Sequence, residues 1–510
     1  MKLIPKYILL TLLSIFFYSI ICHAVQVNGF CYLENQTNHS GTRILFEADS
    51  PSAVTDSVLT DNTGYYQIEL EPGLYDVNFS HQNYVEENLF DQLLIESMTL
   101  IDVTLSDIIQ LIGEISGVLT RGTYQVIGDI VVAYTLIIEP GVVFIFVGSY
   151  YFDVFGCLNA VGTEEDSIIF RSRQGAEAWN GLEIWWPSSS SILKYCKITN
   201  SDQCGIVFTD ASAIIEDCYI NGNSGIGSGA GGISMGAWSH PTLQSCIIVD
   251  NSAISNTGGV KIFGDAAPLF QDCIIAANGP HGGVLCYDDA QPVFENCTIS
   301  YNWDNGDAGD GINCSENASP TIINCIFKEN SSQGIDLTCS GEVTVQYSDF
   351  HNNLGGDYSG WAVPPFIGDL LTVNYNNDPC DIYYNIFLDP LFADPNNGNF
   401  NLTAASPCID AGDPTFPFDP DGTIADIGAF YFDQSLPVVD DLTITVVIND
   451  VILYWSPAAT AQSYNIYRSD VPYFDISGMT PLAQVTDPQY VDSNAFPGGP
   501  WYYIVTVEMD

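Results

Sequence analysis

An eleven-residue phrase, P-T-L-Q-S-C-I-I-V-D-N from Pro241 to Asn251, returns from Pro268, Pro292 and Pro320 with little change. Its cysteine is Cys246, then Cys273, Cys297 and Cys325, and looser copies upstream carry Cys196 and Cys218. A degenerate seventh copy puts Ser348 in that place, with Phe350 two residues later and Asn353 five later. Successive positions lie 22, 28, 27, 24, 28 and 23 residues apart. An irregular period in the twenties, made of short β-type runs and Gly/Asn corners, predicts a chain winding in coils that each bury their apolar face on the next.

A second signature runs beside the first. A glycine stands 13 or 14 residues before each cysteine position, at Gly205, Gly232, Gly259, Gly283, Gly311 and Gly334. Three residues after each comes Phe208, Met235, Ile262, Cys286, Cys314 or Leu337, which predicts another inward stack. The length variation falls between the repeat's asparagine and the next glycine, so 224–231, 252–258, 279–282, 303–310 and 331–333 are variable loops, where recognition usually sits. Asn223, Asn251, Asn278, Asn302, Asn330 and Asn353 lie five after the cysteine position. Asparagine tolerates left-handed backbone and its amide can bond up and down a stack, so these read as a corner ladder.

Fifteen cysteines in an exported chain ordinarily suggest disulfides. Here six occupy one inward repeat position about 4.8 Å apart, where cysteine acts as a small buried hydrophobe, so free thiols are expected. A single file does not converge four ligands on zinc. Next to the cysteine, Ile247, Ile274 and Ile326 should face outward. Outward aliphatics on neighbouring coils need a cover, and residues 354–435 are the expected one.

The chain opens with Lys2 and Lys6, an apolar stretch from Tyr7 to about Ile21, and Ala24 before Val25. That reads as a signal peptide over 1–24, with no membrane span once it is removed and a secreted or cell-surface location. Eleven Lys+Arg stand against 62 Asp+Glu, a formal charge of −51. Such a surface excludes nucleic acid as a direct partner and is repelled by anionic membranes. The acidity serves either solubility or binding of a divalent cation, chiefly calcium.

Further motifs carry resemblances. Tyr124 to Val132, Thr135 to Phe144, Gly156 to Gly162 and Ser167 to Phe170 resemble the opening coils of right-handed parallel β-helix proteins of the pectin-lyase-like superfamily. Thr60, Asp61, Gly64 and Tyr66, then Pro72, Gly73, Tyr75 and Tyr84, resemble the carboxypeptidase regulatory-like family, which implies a β-sandwich over 25–106. Asp389 to Asp394, Ser406 to Asp413 and Asp426 to Phe430 are similar to the closing segment of many bacterial exported β-helix proteins. Trp455 and the alternating runs around Tyr464–Tyr467 and Trp501–Val507 resemble a fibronectin type III module over 436–510. The expected fold is therefore all-β: a right-handed parallel β-helix solenoid over 113–435 flanked by two small β-sandwich domains.

The superfamily includes polysaccharide lyases and glycosidases, but fold does not decide function. Its lyases use an Arg or Lys base beside calcium-bound uronate. Lys261 is the only lysine on a glycine-led strand, and no matching aspartate cluster stands beside it. A glycosidase needs two carboxyl groups, for which Asp288, Asp289, Asp310 and Asp336 are the candidates. The motifs of polygalacturonases are not reproduced together; Gly279 to Gly282 comes nearest to one of them. Asp304, Asp307 and Asp310, and separately Asp419, Asp421 and Asp426, are either calcium ligands or Gly/Asp turns. Trp238 and Trp303 lie next to coil corners and are candidates for stacking on sugar rings. These residues imply a binding protein for extracellular polysaccharide or a surface protein, with a polysaccharide-degrading enzyme or a structural stalk as the alternatives.

Overall fold

The computed structural model describes residues 24–508, apart from 51–53, 106, 174, 176, 187–190, 227–228, 237, 304–310, 435–438, 440, 448, 459–460, 472–473, 475, 477–478, 494 and 496–500. The expected signal peptide before Ala24 and the candidates Asp304, Asp307 and Asp310 lie outside the described residues. Among the described residues every assigned element is a strand except for the short 3₁₀ turn Pro395–Asn397. No helix among the described residues is long and apolar enough to cross a membrane. The chain divides into two compact units: residues up to Ile109 with Asp441–Tyr464 and Gln484–Trp501, and Gln110–Asp440 with Asn465–Ala483 and Tyr502–Asp510.

The second unit is a solenoid with three parallel faces. A proline-led face runs in ten strands from Gly117–Leu119 to Thr344–Gln346. A cysteine-led face runs from the first half of Gly122–Val132 through Ile247–Val249 and Ile274–Ala276 to Asp349–His351. A glycine-led face runs from the second half of Gly122–Val132 through Val260–Ile262 and Val284–Cys286 to Gly356–Ser359. Because all rungs are in register, like side chains stack: Phe144 on Phe170 at 4.8 Å, Phe270 on Phe294 at 4.8 Å and Phe327 on Phe350 at 4.9 Å between ring centroids. Both inward rows expected on the glycine and cysteine strands are buried.

The corners explain the repeat phrase. Just before each cysteine position, Tyr195, Asp217, Ser245, Asp272, Asn296, Asn324 and Tyr347 take left-handed backbone, so one residue turns the chain from the proline face to the cysteine face. Across that turn the thiol bonds back two residues: Cys218 to the Glu216 carbonyl, Cys273 to that of Gln271 and Cys325 to that of Ile323, each at 3.2 Å. Ser348 donates to the Gln346 carbonyl in the same way at 3.0 Å. The cysteine is thus a hydrogen-bond donor as well as a small hydrophobe, which is why serine can replace it in the last copy. None of the described cysteines is in a disulfide.

At the next corner the asparagine expectation needs correction. Left-handed backbone is taken by the preceding residue, Gly222, Asp250, Ala277, Tyr301, Glu329 or Asn352, while the asparagine turns its amide inward. Asn251 Nδ2 donates to Asn278 Oδ1 at 3.0 Å and to the Ile220 carbonyl at 2.9 Å. The Asn251 backbone N–H also donates to Asn278 Oδ1, at 3.0 Å. The ladder continues from Asn223 to Asn353, a fully bonded polar seam inside the solenoid.

The cover over the cysteine face is present. Residues 383–386 cap the last coil, with the Ile386 N–H bonded to the Ser348 carbonyl and the Phe350 N–H to the Ile386 carbonyl. The chain then doubles back, burying Ile247, Ile274 and Ile326 under Phe392, Phe400, Leu402, Cys408 and Ile427. The Ala429 N–H reaches Thr298 Oγ1 at 3.1 Å, and Lys328 Nζ reaches Asp389 Oδ1 at 2.5 Å.

The flanking segments are also β. Val25–Leu33 pairs with Tyr65–Leu70, Met98–Thr99 and Val103–Leu105, while Arg43–Ser50, Val54–Leu59, Gly73–Ser80 and Glu87–Leu94 form a second four-stranded sheet. Asp61 Oδ1 accepts from the Thr63 and Tyr65 N–H groups, and Gly64 takes φ +86°, so the T-D-x-x-G-x-Y run is a turn feeding a strand. Thr443–Val447, Asp450–Tyr454 and Gln489–Asp492 form one antiparallel sheet. Ser463–Ser469 pairs with Ala483–Val485 and Tyr502–Glu508 in another. Trp455 is buried against Tyr464, as expected of a core residue.

Candidate functional site

The glycine face is the sheet whose outward rows combine polar groups with aromatic rings. Its middle outward row reads Asp153, Glu183, Val207, Ser234, Lys261, Leu285, Asn313 and Asp336 in register. The row along its far edge, where the chain leaves for the proline face, begins Phe155, Trp185, Thr209, Gly236, Phe263 and Tyr287. Phe155 stacks on Trp185 with centroids 5.6 Å apart, and Phe263 on Tyr287 at the same spacing. Between the pairs, Thr209 and Gly236 leave a low stretch of about three rungs, ~14 Å. A side chain at 236 would press on Phe263, 3.1 Å from where its Cβ would sit.

Asp153 and Glu183 are direct register partners, so their carboxyl-bearing carbons sit about one rung apart. Burial raises both above their ordinary values, the neighbouring Asp153 charge adds to the rise at Glu183, and the nearby Trp185 indole N–H opposes it in each. Burial also raises Tyr151 on the adjoining position, with Glu183 and Asp153 contributing. Toward the other end, Lys261 lies over Phe263 at 4.9 Å and Tyr287 at 5.5 Å from the ring centroids. Desolvation lowers its pKa, and only 6% of the residue is exposed.

Of the acidic catalytic candidates, the described ones, Asp288, Asp289 and Asp336, do not converge. Asp288 sits in left-handed backbone at the far corner, its Oδ2 accepting from the Gly264 N–H at 3.1 Å. Asp289 Oδ1 accepts from Asn317 Nδ2 at 3.1 Å. Asp336 stands two coils further on, mid-face, accepting from Ser359 Oγ at 2.8 Å. The carboxyl partner of Asp288 is Glu316 on the next coil, whose pKa that contact raises. Trp303 follows the asparagine at the near corner, its ring against Gly279, whereas Trp238 stands at the opposite corner three coils earlier. They do not share a subsite.

Asp419, Asp421 and Asp426 spend their oxygens on their own loop. Asp419 Oδ2 accepts from the Asp426 N–H, Asp421 from Thr423 and Gln434, and Asp426 from the Asp410 and Phe432 N–H groups. Burial pushes Asp419 up to about 6 and Asp426 up to about 8. Among the described residues no group of three His, Cys, Asp or Glu side chains is arranged to hold a metal ion.

Sequence reasoning missed Asp153, Glu183, Trp185 and Glu316. The first three lie in opening coils that lack the cysteine phrase, so their register could not be counted. The available signal was the matching alternation Phe152-Asp153-Val154 and Leu182-Glu183-Ile184.

The family model of the right handed beta helix region matches residues 135–259 and 227–367. No curated protein matches the chain in sequence. Among solved structures, the pectate lyase Pel9A is 16% identical, aligning 57% of this chain with 88% of that one at a TM-score of 0.28. Two interface mutants of a type II cohesin–X-dockerin complex from Acetivibrio cellulolyticus are each 19% identical over 16% of this chain, at TM-scores of 0.15 and 0.14. This chain spans 58% and 56% of their lengths, less than two thirds. Likenesses this slight transfer no chemistry. The parallel three-faced ladders and the family match together make residues 135–367 a right-handed β-helix.

Proposed function

We propose that this protein is exported and binds an extracellular polysaccharide along the glycine face without cleaving it. The observation that carries the reading is the edge row of that face, where two stacked aromatic pairs flank a low stretch beside hydrogen-bonding side chains. Ring faces stack on sugar rings, and carboxylates and amides bond to hydroxyls. Export rests on the basic, apolar and small-residue order of residues 1–24. The regulatory-like segment at 25–106 and the fibronectin-like segment at 436–510 fit a secreted or cell-surface protein built of small spacer modules around one recognition domain. Affinity electrophoresis in polysaccharide gels tests the reading. The intact chain should be retarded by at least one glycan, and Phe155→Ala with Trp185→Ala should abolish that retardation while the melting temperature stays within a few degrees.

A second reading, glycoside hydrolysis, is favoured by one feature, the Asp153–Glu183 pair. Register spacing brings these carboxyls near the separation of about 5–5.5 Å used by retaining enzymes, and burial raises both above their ordinary values. A reducing-end assay on any polysaccharide that binds decides between the two. Turnover that disappears in Glu183→Gln while binding persists would establish the enzyme and sink the non-catalytic reading.

A further inference from the structure

We infer that the ligand of the glycine face is an uncharged polysaccharide and not a polyuronate; this rests on the reading of that face as a glycan site. The middle row presents Asp153, Glu183 and Asp336, with Lys261 as its one cation among the described residues. That ammonium is turned onto the Phe263 and Tyr287 rings and is nearly covered, so its charge is already engaged in cation–π contact. A uronate polymer laid along the aromatic row would bring a carboxylate past the Asp153–Glu183 pair on a chain of formal charge −51. Like charges at that range repel, and they do so most strongly at low ionic strength.

An uncharged glycan meets no such repulsion. Its ring faces match the Phe155–Trp185 and Phe263–Tyr287 stacks, and its hydroxyls can donate to Asp153, Glu183 and Asp336, which when ionised act solely as acceptors. Between the stacks the edge row carries only the small side chains of Thr209 and Gly236.

Calorimetric titration of the full chain tests this with neutral hexasaccharides of glucan, mannan and xylan, and with oligogalacturonate in the presence and absence of calcium, each at low and high salt. A neutral ligand should bind with an affinity that changes less than about twofold with salt, while oligogalacturonate binds at least about tenfold more weakly at low salt and gains as salt rises. Phe155→Ala/Trp185→Ala should remove the neutral binding, and Trp185→Tyr should retain part of it. Oligogalacturonate binding tighter than every neutral ligand, and lost in the double variant, would overturn the inference while leaving the glycan face standing. Absence of any binding, or binding indifferent to the double variant, would overturn the glycan face itself and the inference with it.

Discussion

The cysteine and glycine faces are neighbours in every coil and are built from strands as short as three residues, such as Ile274–Ala276 and Val284–Cys286. One is sealed and the other is open. The difference lies in a single outward row. On the cysteine face it reads Ile247, Ile274, Thr298, Ile326 and Asp349, all buried and mostly aliphatic; on the glycine face it reads Ser234 and Lys261, which are buried, then Leu285, Asn313 and Asp336, which are partly exposed. A solenoid therefore chooses which side recognises and which side is structural with one residue per coil, provided a later segment supplies the matching apolar surface.

The largest test of this contrast is pH. Asp349 is buried under the cover, accepting from the Leu388 N–H at 3.0 Å and the Cys408 thiol at 3.5 Å, with Lys328 and Asp357 as its charged neighbours. Burial outweighs the Lys328 charge and pushes it up to about 8, and Asp426 in the cover likewise. A carboxyl whose folded pKa is raised favours the folded state fully below its ordinary value near 4 and loses that advantage as pH climbs through 8. The sealed face should weaken by up to ~5 kcal/mol per group over that interval. Melting curves between about pH 5 and 9 should fall, and Asp349→Asn should flatten them.

Next in size is a direct exchange of the two faces. Ile326→Asp puts an unpaired charge beneath the cover and should cost about 4 kcal/mol, whereas Leu285→Asp on the open face should cost less than about 1 kcal/mol. Equal losses in denaturant titrations would erase the distinction. A smaller effect is expected at Phe263→Ala, which uncovers Lys261, relieves its desolvation and should bring its depressed pKa back up, read by NMR of the ε-ammonium. The smallest concerns the shared corner. Cys273→Ser keeps the bond to the Gln271 carbonyl, as Ser348 does in its own coil, so it should be more stable than Cys273→Ala by about 0.5–1 kcal/mol.

Much of the solenoid was legible because its periodicity is local to each copy. Counting from the cysteine placed Phe208, Met235 and Ile262 inward and made Ile247, Ile274 and Ile326 outward residues in need of a cover. The corner chemistry was only partly legible, since the left-handed residue before the asparagine is Gly222, Asp250, Ala277 or Tyr301, with no shared side-chain type. The site was least legible. Asp153 meets Glu183 across 30 residues, and Asp288 meets Glu316 across 28, through stacking rather than through any motif. Asp288 and Asp336, expected on neighbouring coils, do not meet because one belongs to a corner and the other to mid-strand.

The glycine that opens each strand of the open face interlocks with the asparagine ladder. A Cβ at Gly232 would lie 2.7 Å from the Gly259 carbonyl oxygen and 3.2 Å from Asn251 Nδ2, and one at Gly259 would lie 2.2 Å from the Gly283 oxygen. Neither residue of the couple can change alone without colliding with the coil above or stranding an amide. The coil is then the unit in which such a protein can be lengthened or shortened over generations: whole turns can be gained or lost at a seam where Gly meets Gly and Asn meets Asn. Under this constraint, the reach of the open face along its ligand varies in steps of one rung, about 4.8 Å each.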